Sequence, residues 1–363
     1  MAGSKPIVLK ILKRSKPLRI GFIPEVDCAP IVVAHELGLF EKYGLAVELR
    51  RELSWRGVQD RIGDQQLDAG HAPATLPFLM NLGLTPEKCP AVTSLVLSLQ
   101  GNAITISRQL WNCGVRDAET LGRHIMRDKR TYTFGVGFPL GPQYSLLCKW
   151  LKSAEIPYGI KVRIEPAAGP QMFPLLKMGY LDGYCVGEPW NSLAVLAGIG
   201  ACVATSAQLA PYHPEKVLLV RKEFAEKQPE EHQRLIAALL EACNFCDQPE
   251  NQRSICELLS LRHYVNAPLE CLEAGLVKTP ERSSSSVQAL HGAAIFHRCR
   301  ANDPTAEKAA WITGRLYELL RWEARPAALR NVFRRNAFLH AQAMVARTKQ
   351  SKTLQPQRAA LLS

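Results

Sequence analysis

The sequence has no apolar stretch long enough to cross a membrane. Its uninterrupted hydrophobic runs are a handful of residues, against the ~20 that a spanning helix needs. The first residues, MAGSKPIVLKILKRSKPLRIGF, do not form a secretory leader. Lys10, Lys13 and Arg14 break their apolar part, where a leader needs roughly 7–15 uninterrupted apolar residues and a small-residue cleavage site. That segment also has no twin-arginine pair and no lipobox cysteine. These absences set the expectation of a cytoplasmic chain with no membrane insertion.

Enzyme signatures are equally scarce. No G-x-x-x-x-G-K-[ST] phosphate loop and no G-x-S-x-G elbow occur, and GVGFPLGP (135–142) has glycines without the strand–helix G-x-G-x-x-G frame. Cys243 and Cys246 form a C-x-x-C inside the amphipathic run EEHQRLIAALLEACNFCDQ, with no second pair at zinc-ribbon spacing. The expectation there is core packing and no metal. The eleven cysteines are odd in number and scattered in apolar surroundings, which reads as reduced core thiols.

Acidic residues are missing from both ends. Residues 1–19 carry six Lys/Arg and residues 325–363 carry eight, with no Asp or Glu in either. Those fourteen cations account for the whole formal charge of +12 and leave 20–324 at −2. The body is therefore nearly neutral, which argues against a basic nucleic-acid groove, and the tails carry almost no interleaved aromatics.

What is present is a repeating strand–helix grammar in 363 residues, enough for about two domains. LRIGFI (18–23) predicts a strand, 28–44 a helix stopped by Gly44, and AVELRREL (46–53) a strand. A helix then leads into the strand LDAGHA, TLPFLMNLGL predicts a helix, and 93–110 predicts two strands around Gly101-Asn102. A second series of the same kind runs from TYTFGVG to ACVATS. The fold class is α/β, with the chain crossing between two lobes near 108 and 213 in a clamshell. The expected units are a basic arm (1–17), lobe 1 (18–107 with 214–345), lobe 2 (108–213) and a disordered basic tail (346–363). KTPERSSSSVQ (278–288) is expected as a loop.

Polar residues fall at strand ends and helix starts, the rim where open α/β sheets bind ligands. They are Trp55, Asn102, Gln143 at a helix N-terminus, Gly187 in CVGEPW, and Lys216 at the return crossover. Each is open to a bland reading as a packed aromatic, a turn residue, a helix-start amide or a solvated lysine. His71 is expected as a hydrogen-bonded rim or core residue. One cation, an indole N–H and two side-chain amides suit a small anion. No nucleophile or acid–base pair accompanies them, so no enzyme is expected.

Together these blocks resemble a known family. LRIGFIPEVDCAPIVVAHELGLFEKYGLAVELRRELSW, LDAGHAPATLPF, GNAITIS, GPQMFPLLKMGYLDGYCVGEPW and HPEKVLLV resemble the nitrate- and bicarbonate-binding solute-binding proteins of ABC transporters over 18–340. The resemblance implies a two-lobed periplasmic-binding-protein type II fold without a cofactor. It implies an oxyanion cleft lined by Trp55, Asn102, Gln143 and Lys216, with Gly187 close by and His71 and Glu188 behind. Two positions depart from the family pattern: Gln143 stands where nitrate-binding members have a histidine, and Asn102 where glutamine is common. Lys216 favours nitrate over bicarbonate, since the bicarbonate branch implies an acidic or metal-linked site.

Without a leader, the resemblance is to the NasS-type nitrate/nitrite sensor, which holds an ANTAR-class RNA-binding antiterminator until the anion releases it. The alternative is a transporter component, partnered by an ABC permease, whose signal peptide is missing from this sequence. If Lys216 is the buried counter-charge, its removal is expected to weaken anion binding by about 2–4 kcal/mol.

Overall fold

Short β-branched and leucine-rich runs separated by Gly and Pro build two mixed sheets in the computed structural model. It describes residues 16–85, 89–276, 293–322 and 327–360. The first sheet contains β1 (Leu18–Phe22), β2 (Val47–Arg51), β3 (Ala69–Pro73), β4 (Ala91–Val92), β5 (Val96–Leu99) and β11 (Pro214–Arg221). Its order is β2-β1-β3-β11-β4, with β5 also paired to β11. The second contains β6 (Asn102–Ser107), β7 (Tyr132–Val136), β8 (Val162–Pro166), β9 (Gly183–Gly187) and β10 (Gly200–Thr205), in the order β10-β6-β9-β7-β8.

In the first sheet β1 runs parallel to β2 and β3, and β11 returns antiparallel between β3 and β4. In the second, β7 is parallel to β8 and β9, while β6 is antiparallel to β9 and β10. Each sheet thus takes one returning strand from the other side of a crossover, and those two strands, β6 and β11, carry Asn102 and Lys216.

The lobe boundary differs from the expectation. Residues 102–107 belong to the second sheet, so the first crossing falls at Gln100-Gly101 rather than near 108. Both residues have positive φ (48° and 98°), and the chain turns there before a full strand. At Gly101 a Cβ would also sit 3.0 Å from Ala294 Cβ, so glycine is the residue that fits. The two strands around Gly101-Asn102 therefore lie in different sheets.

The C-terminal segment differs too. Expected as a disordered tail from 346, it continues a helix that spans Arg335–Ala360. That stretch has no glycine and is rich in Ala, Gln, Arg, Lys and Leu, which favour helix in the absence of packing. Phe338 and Ala341 are buried against the helix Pro229–Cys246, with Met344 and Val345 partly buried on the same core. Cys243 and Cys246 lie on the buried face of the helix Pro229–Cys246. The expected loop 278–288 lies outside the described residues.

Candidate functional site

The site forms where strand ends of the two sheets meet. Trp55 opens the helix Trp55–Gly63, whose N-cap Ser54 accepts from the Gly57 N–H at 3.1 Å. This cap fixes the start of the helix and so the direction of the indole. Gln143 is the second residue of the helix Pro142–Lys152. Asn102 begins β6 and Gly187 ends β9, and the two are register partners. Lys216 lies in β11 opposite Pro73 of β3. Trp55, Asn102, Gln143 and Lys216 are all at most 3% exposed, so the site is closed to solvent.

The lobe 2 wall is a pair of amides. Gln143 Oε1 accepts from the Gly137 N–H (3.1 Å) and its Nε2 donates to Asn102 Oδ1 (3.0 Å). The backbone donor fixes which way the Gln143 amide faces, and that in turn leaves Asn102 Nδ2 as the free end. This buried NH2 has no partner. An unpaired buried donor costs about 1–3 kcal/mol, and a ligand acceptor would remove that cost. Trp55 approaches the same wall from lobe 1. A Cβ on Gly137 would meet Gln143 Oε1 at 2.6 Å and Trp55 Nε1 at 3.1 Å.

The lobe 1 wall is charged. Lys216 Nζ lies 2.8 Å from Asp27 Oδ2, 2.8 Å from Glu215 Oε1 and 3.5 Å from Glu25 Oε2, and 5.2 Å from the centre of the Trp55 ring. Burial works against the lysine's charge, but Asp27, Glu215 and Glu25 prevail and hold its pKa above the ordinary value. Burial likewise pushes Asp27 and Glu215 up, and Lys216, helped by His71 and His213 respectively, pulls both below the usual carboxylate range. His213 Nε2 is 3.0 Å from Glu215 Oε2. Glu25 is the exception. Burial dominates, Lys216 opposes it and Asp27 and Glu215 reinforce it, so its pKa stands at about 8.

His71 stands behind Trp55, with ring centres 4.8 Å apart in an edge-on arrangement, and its Nε2 is 3.0 Å from Asp27 Oδ1. Burial holds it below its ordinary pKa and keeps it neutral near pH 7, against the pull of Asp27. Glu188, expected behind the cleft with His71, is buried, and its carboxylate accepts from the Ser192 N–H at 3.0 Å and secures the helix Trp190–Leu196. Its backbone carbonyl accepts from the Val26 N–H (2.7 Å), while the Trp190 indole donates to Pro24 O (3.1 Å). These two bonds latch lobe 1 residues 24–26 onto lobe 2 residues 188–190.

The structure therefore brings Trp55, Asn102, Gln143, Gly187 and Lys216 together, but Lys216 is not the lone counter-charge expected of it. Sequence reasoning missed Glu25, Asp27 and Glu215. Asp27 lies inside the DCAP block that carried the resemblance, and Glu215 immediately precedes the lysine. Strand alternation would send neighbours 215 and 216 to opposite faces. The register of β11 against β5 shifts between Pro214 and Lys216, and again between Lys216 and Val217, and the two side chains meet. Among the described residues no group of three or more His, Cys, Asp or Glu is arranged to hold a metal ion.

Two lobes of this topology, closing on a polar site between their strand ends, define the periplasmic-binding-protein fold. The chain belongs to the NMT1-like family, whose model matches residues 13–260. It is 37% identical over 311 residues to the nitrate import ATP-binding protein NrtC of Synechocystis sp. (84% of this chain, 46% of that protein). It is 36% identical over 312 residues to the bicarbonate transport ATP-binding protein CmpC of the same organism, with the same coverages of 84% and 46%. The chain thus spans about half the length of these relatives. The crystal structure of the periplasmic nitrate-binding protein NrtA from Synechocystis superposes with a TM-score of 0.81 at 24% identity, covering 91% of this chain and 89% of that one.

Proposed function

We propose that this chain binds a small planar monoanion, nitrate or nitrite, between its lobes and uses closure to control a protein partner. The observation that carries the reading is the fully buried interlobe site that gathers the unpartnered Asn102 Nδ2 with the Trp55 indole and Lys216, whose ammonium lies 5.2 Å from the Trp55 ring. A planar oxyanion accepts from directed N–H donors and needs no catalytic group. Because Asp27 and Glu215 already neutralise Lys216, recognition rests on hydrogen bonds and shape, and a dianion such as sulfate is disfavoured by the surrounding carboxylates.

Relatives named as ATP-binding proteins of nitrate and bicarbonate transport carry a stretch like this chain. That supports a ligand-responsive module coupled to other machinery. A ligand that prefers the closed form shifts the population and expels a partner that prefers the open one. In the cytoplasm the partner of this type is an ANTAR-class RNA-binding antiterminator. The second reading, a solute-binding component that meets an ABC permease, is favoured by the transport names of the same relatives.

Calorimetric titration with nitrate, nitrite, bicarbonate and sulfate tests the site. Saturable heat is expected with nitrate or nitrite and none with sulfate, and Asn102→Ala is expected to weaken binding by about 1–3 kcal/mol. Absence of heat with nitrate and nitrite would refute the reading. Capture of an antiterminator that nitrate releases, against capture of a permease that nitrate recruits, separates the two partners.

A further inference from the structure

Three carboxyl groups surround one ammonium in a site that water does not reach. Asp27 and Glu215 take the near positions at 2.8 Å, with His213 Nε2 hydrogen-bonded to Glu215 Oε2 at 3.0 Å and His71 Nε2 lying 3.0 Å from Asp27 Oδ1. Glu25 lies outside them at 3.5 Å, is 0% exposed, and neither of its oxygens has a hydrogen-bond partner. Two carboxylates already exceed the charge of Lys216 by one. A third ionised carboxylate without hydrogen bonds in the same dry space is strongly disfavoured.

Glu25 also faces the opposite lobe. Its Oε2 is 2.7 Å from where a Cβ on Gly187 would sit, and Asn102 Oδ1 is 3.6 Å from the same point. Its Oε1 is 3.2 Å from the corresponding position on Gly169, beside the Trp190 indole. The carboxyl thus lies across the lobe interface close to Asn102, whose buried NH2 has no hydrogen-bond partner.

We propose, resting on the oxyanion reading above, that Glu25 is a ligand-contacting carboxyl that captures the anion in its protonated form, so that the chain binds an anion and a proton together. The Glu25 O–H donates to an oxyanion oxygen, while Asn102 Nδ2 and Trp55 Nε1 donate from the facing walls. Where Glu25 is ionised beforehand, closure takes one proton from solvent onto its carboxylate and no other bond changes. The charged or titratable groups facing Glu25 are Lys216 and Glu215 on β11, Asp27 and Cys28 on its own segment, and His71 beyond Asp27. From lobe 2 it meets Gly187, Gly169 and the Trp190 indole, none of which carries charge. A position of this carboxyl near pH 8 puts the transition within reach of ordinary buffers. Nitrate and nitrite can only accept hydrogen bonds, so they require the proton on the protein.

The test is calorimetric titration of the full chain with nitrate and with nitrite between pH 6 and pH 10, in pairs of buffers of different ionisation enthalpy. Wild-type affinity is expected to be level at low pH and to fall about tenfold per unit on the alkaline side, with uptake of one proton there. Glu25→Gln keeps a donor without the proton and is expected to bind at all pH values with a flat profile and no uptake. Glu25→Leu is expected to bind weakly throughout. Wild-type binding that is level to pH 10, or a Glu25→Gln profile that still falls, overturns the inference while leaving the oxyanion reading intact. Failure of both anions at every pH, or binding of bicarbonate alone, overturns both.

Discussion

At the scale of single residues the site is a problem in charge. Lys216 sits in a shell of carboxylates rather than in front of an open pocket, and this changes what its removal does. Lys216→Ala leaves Asp27 and Glu215 buried without their cation, and is expected to lower folding stability by about 3–5 kcal/mol. Denaturant unfolding checks this directly. A variant that kept wild-type stability would mean that the carboxyls take up protons instead. The expected 2–4 kcal/mol loss of anion affinity therefore has no clean readout in that variant, and the Asn102 substitution carries the binding test. Trp55, Asn102, Gln143 and Lys216 were legible as strand-end and helix-start polar residues, while Glu25, Asp27 and Glu215 were not. Two of those three flank Val26 in a short 3-10 turn (Val26–Cys28) with its preceding residue, where neither helix nor strand periodicity says which way a side chain points. The third is displaced by irregular pairing of β11 with β5.

At the scale of elements the sequence pattern recovers the alternation of strands and helices, because the buried runs are short and punctuated by Gly, Pro and Asn. It does not show which sheet a strand joins. β5 and β6 are separated by two residues yet pair with different partners, since pairing is decided by strands distant in sequence. The terminal helix is the other miss. The polar, cationic stretch from 346 resembles a solvated tail, but it continues to Ala360 the helix that Phe338 and Ala341 seat on Pro229–Cys246. Phe338→Ala is expected to cost about 3–5 kcal/mol, seen as a lowered thermal midpoint with ligand affinity unchanged. A silent substitution would show that the helix contributes little to the core.

At the scale of the molecule the lobes meet through the latch between 24–26 and 188–190 and through glycines that admit opposing side chains. Gly187→Ala puts a methyl group 2.7 Å from Glu25 Oε2, so the lobes can close only if the buried Glu25 carboxyl gives way, and neither core is touched. Solution scattering is expected to show the wild type contracting when nitrate is added and Gly187→Ala failing to contract, with unchanged secondary structure. Contraction of the variant would place the closing contact elsewhere.

The burial of the site has a temporal consequence. With Trp55, Asn102, Gln143 and Lys216 at most 3% exposed, a bound anion cannot leave while the lobes are together. Its departure waits on the opening of the latch, which the donors that hold it in the closed form make rarer. Of two anions, the one that favours the closed form more strongly makes opening rarer and would depart more slowly.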